Sequence, residues 1–291
     1  MSVCELCPRR CGVDREAGEL GFCGQGATMR IARAALHPFE EPSISGSRGS
    51  GTVFFVGCTL RCVYCQNRAI SRSETAGRAI SEEELAGILL ELQEKGAHNI
   101  NFVTPTHFTD PILRVLHSVK ERLRIPVVWN TSGYERTETL RRLEGLVDVY
   151  LPDFKYAEEA SAQRYSLAPG YPEVALGAIA EMVRQTGTPL FDGEGMLLRG
   201  TVVRHLILPG HRKESIAALR ALADAVSPHE ILLSLMSQYT PEFATDSPYR
   251  NLHRRLTSFE YDSVLREAQA LGFSGYMQER SSAKTDYTPN F

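Results

Sequence analysis

The 291-residue chain has no cysteine after residue 65, no excess of positive charge, and no apolar run near the ~18 residues of a membrane helix. Each absence excludes something. Without such a run there is no transmembrane helix, and the first twelve residues carry cysteines, arginines and a proline where a signal peptide needs an apolar centre. A formal charge of −3 and a pI near 6.3 give no basic field for nucleic acid. The arginine pairs at 9–10, 141–142 and 254–255 are too short to reverse this and read as solvated faces. The confinement of all seven cysteines to two tight groups excludes a disulfide framework spread over the fold and points to metal ligation in a reducing compartment. The expectation is a cytoplasmic protein with neither membrane nor nucleic acid among its partners.

What is present suits one large α/β unit. Hydrophobic residues make up 43% of the chain, enough for a sizeable core, and 23% charged residues fit a folded domain. The first cysteine group is Cys4, Cys7, Cys11 and Cys23, a C-x2-C-P-x2-C run closed eleven residues later between Gly21 and Gly24. Four thiolates complete a site, structural if it holds zinc and an electron relay if it holds an iron–sulfur cluster. Both remain open on spacing alone. Residues 1–28 are therefore a four-cysteine metal-binding segment, and 29–50, with Pro38, Pro42, Gly46 and Gly49, read as a wrapping linker.

From residue 51 strands and helices alternate. Thr52–Val56 is a β-branched and aromatic strand between glycines, and Ser81 with Glu84 opens a helix by a capping box. Further strands are expected at 99–104, 125–129, 146–151, 201–208 and 230–235, with a hairpin at 188–198 turning at Asp192-Gly193. Strand-then-helix repetition implies parallel strands with right-handed crossovers. Six such units suggest either an open barrel or a doubly wound sheet.

The second cysteine group follows the first of these strands: Cys58, Cys62 and Cys65, a C-x3-C-x2-C triplet with Tyr64 before the last. Thiolates select zinc or iron–sulfur clusters, and zinc sites ordinarily pair their cysteines in two short units. Three ligands on a cubane cluster leave one iron open to a small molecule. C-x3-C-x-aromatic-C resembles the mark of the radical S-adenosylmethionine (SAM) enzymes, and within them the chain is similar to the pyruvate formate-lyase activating enzyme-like proteins. The resemblance implies an open partial (β/α)6 TIM-like barrel over 51–240, with 241–291 packing on it as an extension whose Tyr276, Tyr287 and Phe291 serve as wall or lid. It also implies a 4Fe–4S cluster on Cys58, Cys62 and Cys65 that chelates SAM.

Polar residues gather where strands end, the place for ligands in parallel α/β folds. They are Thr104-Pro105-Thr106-His107, Asn130-Thr131-Ser132-Gly133, Asp153-Phe154-Lys155, Arg204 and His205, and Ser237-Gln238-Tyr239. Asp153 and Lys155, one residue apart, project to one side of an extended segment and suit an amino-acid zwitterion; the alternative is a surface ion pair. The activating enzymes have a similar Asp-x-Lys, an Asp-Thr-Asn-Gly where this chain has Asn130-Thr131-Ser132-Gly133, and a Gly-Gly-Glu where it has Val103-Thr104-Pro105-Thr106. The first aspartate is thus an amide here. By the resemblance, Tyr64, Thr104, Thr106, Asn130, Thr131, Ser132, Asp153, Lys155 and Gln238 bind SAM. Arg204 rather than His205 faces the site, because alternation admits only one and the activating enzymes have an arginine there.

The implied reaction is one-electron cleavage of SAM to a 5′-deoxyadenosyl radical that abstracts hydrogen. Its substrate would be a glycine of a partner glycyl-radical enzyme, its electron donor a flavodoxin or ferredoxin. The rival readings are the same chemistry on a small molecule or another peptide, and a non-catalytic iron–sulfur redox protein.

Overall fold

In the computed structural model, residues 3–72 and 77–278 are described. Ten strands and nine α-helices lie among them, alternating except where two helices and then two strands follow one another. The chain runs β1 (Arg30–His37), α1 (Pro42–Ser45), β2 (Ser50–Phe55), α2 (Arg68–Ser71), β3 (Arg78–Ala79), α3 (Glu82–Glu94), β4 (Ile100–Val103) and α4 (Thr109–Val119). It continues through β5 (Val127–Thr131), α5 (Thr137–Arg141), β6 (Val149–Pro152), α6 (Glu159–Ser166), α7 (Tyr171–Thr186), β7 (Leu190–Phe191) and β8 (Leu197–Leu206). It ends with α8 (Arg212–Ala225), β9 (Leu232–Met236), α9 (Ser258–Ala270) and β10 (Gly275–Met277).

Strands β2, β4, β5, β6, β8, β9 and β10 are parallel neighbours in that order. The sheet ends at β10 on one side and at β3 on the other, so it is unclosed. The expected open α/β barrel is therefore found, with one parallel strand more than the six expected. The extra strand is β10, from the stretch read as tail; three residues with two glycine-adjacent turns gave no period to recognise. Tyr287 and Phe291 lie outside the described residues.

Segment 29–50, read as a linker, differs more. Arg30–His37 pairs antiparallel with β2, Ile31 opposite Phe55 and His37 opposite Ser50. The prolines and glycines that suggested a linker all fall after this strand. The short α1 then enters the floor of the barrel. Ile44 packs with inward-facing Val128, Val149, Leu151, Val202 and Leu232. Asn99 Nδ2 donates to the Ile44 carbonyl at 2.7 Å, and the Tyr276 hydroxyl on β10 donates to Ser43. The open seam is thus bridged at its base.

Strand periodicity places the site. Outward residues such as Val53, Phe55, Phe102 and Trp129 meet the helices in one core. Inward residues change from apolar at the floor to polar two positions on: Val128 gives way to Asn130, Leu151 to Asp153 and Val202 to Arg204. The predicted capping box at Ser81 and Glu84 forms, and the predicted hairpin forms between β7 and β8.

Candidate functional site at the carboxyl ends of the strands

A cavity of about 230 Å³ opens above the polar layer, and Cys58, Cys62 and Cys65 line one of its walls. The cysteine loop leaves β2 through Gly57, whose φ of +89° is open to glycine and whose absent Cβ would stand 2.7 Å from the Cys23 carbonyl oxygen. Val63 and Arg61 donate their amides to the Tyr165 and Ser166 carbonyls at the end of α6, at 2.8 and 3.2 Å. All three thiols are free, and each sulfur has one hydrogen-bond partner. Leu60 N–H donates to Cys58 at 3.4 Å, Ser166 Oγ–H to Cys62 at 2.9 Å, and Ser71 Oγ lies 3.3 Å from Cys65. Burial pushes the Cys58 thiol well above its ordinary pKa, with neighbouring Cys62 adding to the effect.

Opposite the thiols stands a charge cluster. Asp153 accepts from Lys155 Nζ at 2.6 Å and from Arg204 Nε at 3.0 Å. Arg204 also donates to Asn130 Oδ1 at 2.6 Å and reaches Glu40 at 3.4 Å. Burial opposes charge on Asp153, but Lys155 and Arg204 outweigh it and hold the carboxyl below its ordinary range. Burial likewise opposes the Lys155 ammonium, and Asp153 outweighs it, raising the pKa. Glu40 goes the other way, raised by burial against the pull of Arg204. Gly133, at φ +78°, lets the loops after β5 and β6 meet, since a Cβ there would collide with the Asp153 carbonyl oxygen.

Tyr64, Thr104, Asn130, Thr131, Ser132, Asp153, Lys155, Arg204 and Gln238 all line the cavity. Thr106 does not: it is buried, and its hydroxyl donates to Glu135 Oε1 at 2.5 Å. Of the nine side chains read together with it as SAM-binding or facing the site, all line the cavity and it does not; a carboxylate four residues beyond Thr131 takes its hydroxyl. The Thr131 hydroxyl donates to the same oxygen. Burial raises the Glu135 pKa to about 7 despite both hydroxyls. His107 lies away from the cavity, its Nε2 bonded to the Val56 carbonyl at 2.7 Å. His205, facing opposite to Arg204 as alternation requires, bonds the Phe154 carbonyl through Nδ1 at 2.6 Å.

Sequence reasoning missed Glu40, which comes from the supposed linker and carries no motif. It also missed Ser166, which no local pattern marks.

The four N-terminal cysteines are held against the cysteine loop. Arg9 Nε donates to the Thr59 carbonyl at 2.9 Å with its guanidinium 3.7 Å above the Phe22 ring, and Arg61 donates to the Phe22 carbonyl at 3.1 Å. The Cys11 and Cys23 sulfurs both stand beside Gly21, where a Cβ would lie 3.5 and 3.6 Å from them. Cys23 accepts from Arg15 at 3.3 Å, and burial pushes Cys7 up to about 12. Among the described residues, no group of three or more His, Cys, Asp or Glu side chains is gathered tightly enough for a single metal ion. That holds for both cysteine groups; what fits a cluster at Cys58, Cys62 and Cys65 is the donor chemistry, three free thiols on the wall of one cavity.

Residues 52–242 match the Radical SAM superfamily. The chain belongs to that superfamily. Membership implies a 4Fe–4S cluster and SAM as its cofactors. The uncharacterized protein MJ0674 of Methanocaldococcus jannaschii is 30% identical over 276 residues, covering 91% of this chain and 74% of that protein. Among solved structures, Streptococcus suis SuiB bound to its precursor peptide SuiA aligns with TM-score 0.52 at 12% identity, over 76% of this chain. This radical SAM chain spans 46% of that structure, so the likeness is one of fold. A domain of the pyruvate-formate lyase-activating enzyme of Bacteroides vulgatus aligns with TM-score 0.43 at 14% identity over 59% of this chain and 91% of that domain, too little to place the chain in its subfamily. No helix among the described residues is long and apolar enough to cross a membrane.

Proposed function

We propose that Cys58, Cys62 and Cys65 hold the cluster and that SAM binds in the cavity beside them. The observation that carries this is one cavity lined by three free thiols and the Asp153, Lys155 and Arg204 charge cluster. When bound, cluster and SAM supply one-electron cleavage of the sulfonium and hydrogen abstraction from a substrate. This chain's residues bind and orient. Lys155, Arg204, Asp153 and Glu40 are prearranged by their own contacts, with buried Glu41 also acting on Arg204, to receive a zwitterion. Tyr64 closes the cavity wall, and Asn130, Ser132 and Gln238 offer donors and acceptors.

Thr104 lies in the stretch where the activating enzymes have Gly-Gly-Glu. It is a β-branched residue at φ +58°, a conformation that costs about 1–3 kcal/mol and persists where surroundings enforce it. Its amide donates to the Asn130 carbonyl at 2.9 Å, which fixes the backbone so that Thr104 can accept from the ammonium of SAM.

The proposed substrate is a backbone glycine of a partner enzyme, with a flavodoxin or ferredoxin as electron donor in a cytoplasmic setting. The precursor peptide in the SuiB structure is in keeping with a peptide substrate. Residues 1–28 are proposed as a separate metal-binding attachment in which Cys4, Cys7, Cys11 and Cys23 hold zinc or a second cluster. Anaerobic reconstitution with iron and sulfide, then SAM and dithionite, should release methionine and 5′-deoxyadenosine. Product equal to that of the Cys62→Ala variant would eliminate the catalytic reading, and absence of a glycyl-radical signal on co-incubated partner would eliminate the activase.

A further inference from the structure

A line of three hydroxyls ends on one cysteine of the proposed cluster site. Ser166 Oγ lies 2.9 Å from Cys62 Sγ, Tyr156 Oη 2.7 Å from Ser166 Oγ, and Tyr64 Oη 2.6 Å from Tyr156 Oη. All three residues are buried, Ser166 and Tyr156 almost completely. Their order fixes the direction of every bond. A thiolate ligand carries no proton, so Cys62 can only accept. Ser166 has one proton, which goes to the sulfur, so its oxygen accepts from Tyr156. Tyr156 has then given its proton, so its oxygen accepts from Tyr64. The three O–H dipoles all point toward Cys62 and polarise one another in a low-dielectric setting.

We propose that Ser166, backed by Tyr156 and Tyr64, is a positioning residue that sets the reduction potential of the cluster through Cys62. This rests on the reading that Cys62 is a cluster ligand. Hydrogen bonds to ligand sulfur favour the more negative, reduced state and raise the potential. The arrangement makes the cluster easier to reduce, and it ties Tyr64, inside the cysteine motif, to Ser166 at the end of α6.

The test is a redox titration, followed by electron paramagnetic resonance (EPR), of the signal that responds to added SAM. Ser166→Ala should lower the reduction equilibrium constant about tenfold, which is about 59 mV for one electron. Tyr156→Phe should lower it about threefold, about 28 mV, leaving Ser166 in place but unsupported. Tyr165→Phe removes a neighbouring hydroxyl that faces His211 and should leave the midpoint where it was. An unchanged midpoint in Ser166→Ala at full iron content overturns the proposal, as does an equal drop in Tyr165→Phe. Should Ser166→Ala fail to take up iron, Tyr156→Phe decides alone, and an unchanged midpoint there overturns it. Retention of the SAM-responsive signal in Cys62→Ala would instead sink the ligand assignment itself.

Discussion

Asp153→Asn tests whether the site's charge cluster is as interdependent as its geometry indicates. The carboxylate accepts from Lys155 at 2.6 Å and Arg204 at 3.0 Å, and all three side chains are less than one-fifth exposed. Asparagine keeps the shape and one acceptor but removes the carboxylate that bonds both buried cations, leaving Glu40 and Glu41 beside Arg204 and no carboxylate bonded to Lys155. Removing one partner of a buried pair costs about 3–5 kcal/mol. The retained amide oxygen, and the ease with which a buried lysine loses its proton, place this case near the lower end, about 3 kcal/mol. Urea unfolding can be followed through Trp129, the single tryptophan of the chain, fully buried on β5. With m near 2–3 kcal/mol/M, the midpoint should fall by about 1 M or more. Adding Lys155→Met should recover at least about 1 kcal/mol, because the uncompensated ammonium is then gone. If the two substitutions are additive, or if Asp153→Asn alone costs under about 0.5 kcal/mol, the cluster is a set of independent surface-like pairs and the reasoning fails.

Gly57→Ala forces a Cβ against the Cys23 carbonyl at φ +89°, so iron uptake on reconstitution should drop severalfold while far-ultraviolet dichroism stays near that of the parent. Arg204→Lys keeps the charge but loses the planar fork that spans Asp153, Asn130 and Glu40, and calorimetry should show SAM affinity at least tenfold weaker. Glu135 has a folded-state pKa near 7, above the ordinary 4.5, so the folded state binds the extra proton between those values. Stability should therefore fall as pH rises from about 4.5 to 7, by up to about 3 kcal/mol, and Glu135→Gln should flatten that part of the profile in urea unfolding at a series of pH values. Asp153 has the opposite sign: its depressed pKa gives stability present above the unfolded value near 3.8 and lost as pH falls further, so Asp153→Asn should weaken the acid limb below about pH 4.

The parts of the fold with strong periodicity were legible in the sequence. Thr52–Val56, the Ser81 and Glu84 cap and the 188–198 hairpin each declared themselves by residue type at fixed spacing. Arg30–His37 did not, because its mixed burial as an antiparallel edge neighbour lacks both the continuous apolar run of a central strand and a clean alternation. The cysteine triplet and Asp153-x-Lys155 were readable because a motif fixes their spacing. Glu40 and Ser166 were not, since each reaches the site from a distant segment and only the folded chain brings it there. Thr106 shows the converse: it sits at the right strand end, but Glu135 takes its hydroxyl.

The most direct measurement is the EPR spectrum of the reduced, reconstituted protein before and after SAM is added. A cluster signal that changes on SAM addition, is lost in Cys62→Ala and persists in Cys23→Ala is the predicted result. A signal indifferent to SAM, or one that survives in Cys62→Ala, would contradict the assignment of the open-cornered cluster to Cys58, Cys62 and Cys65.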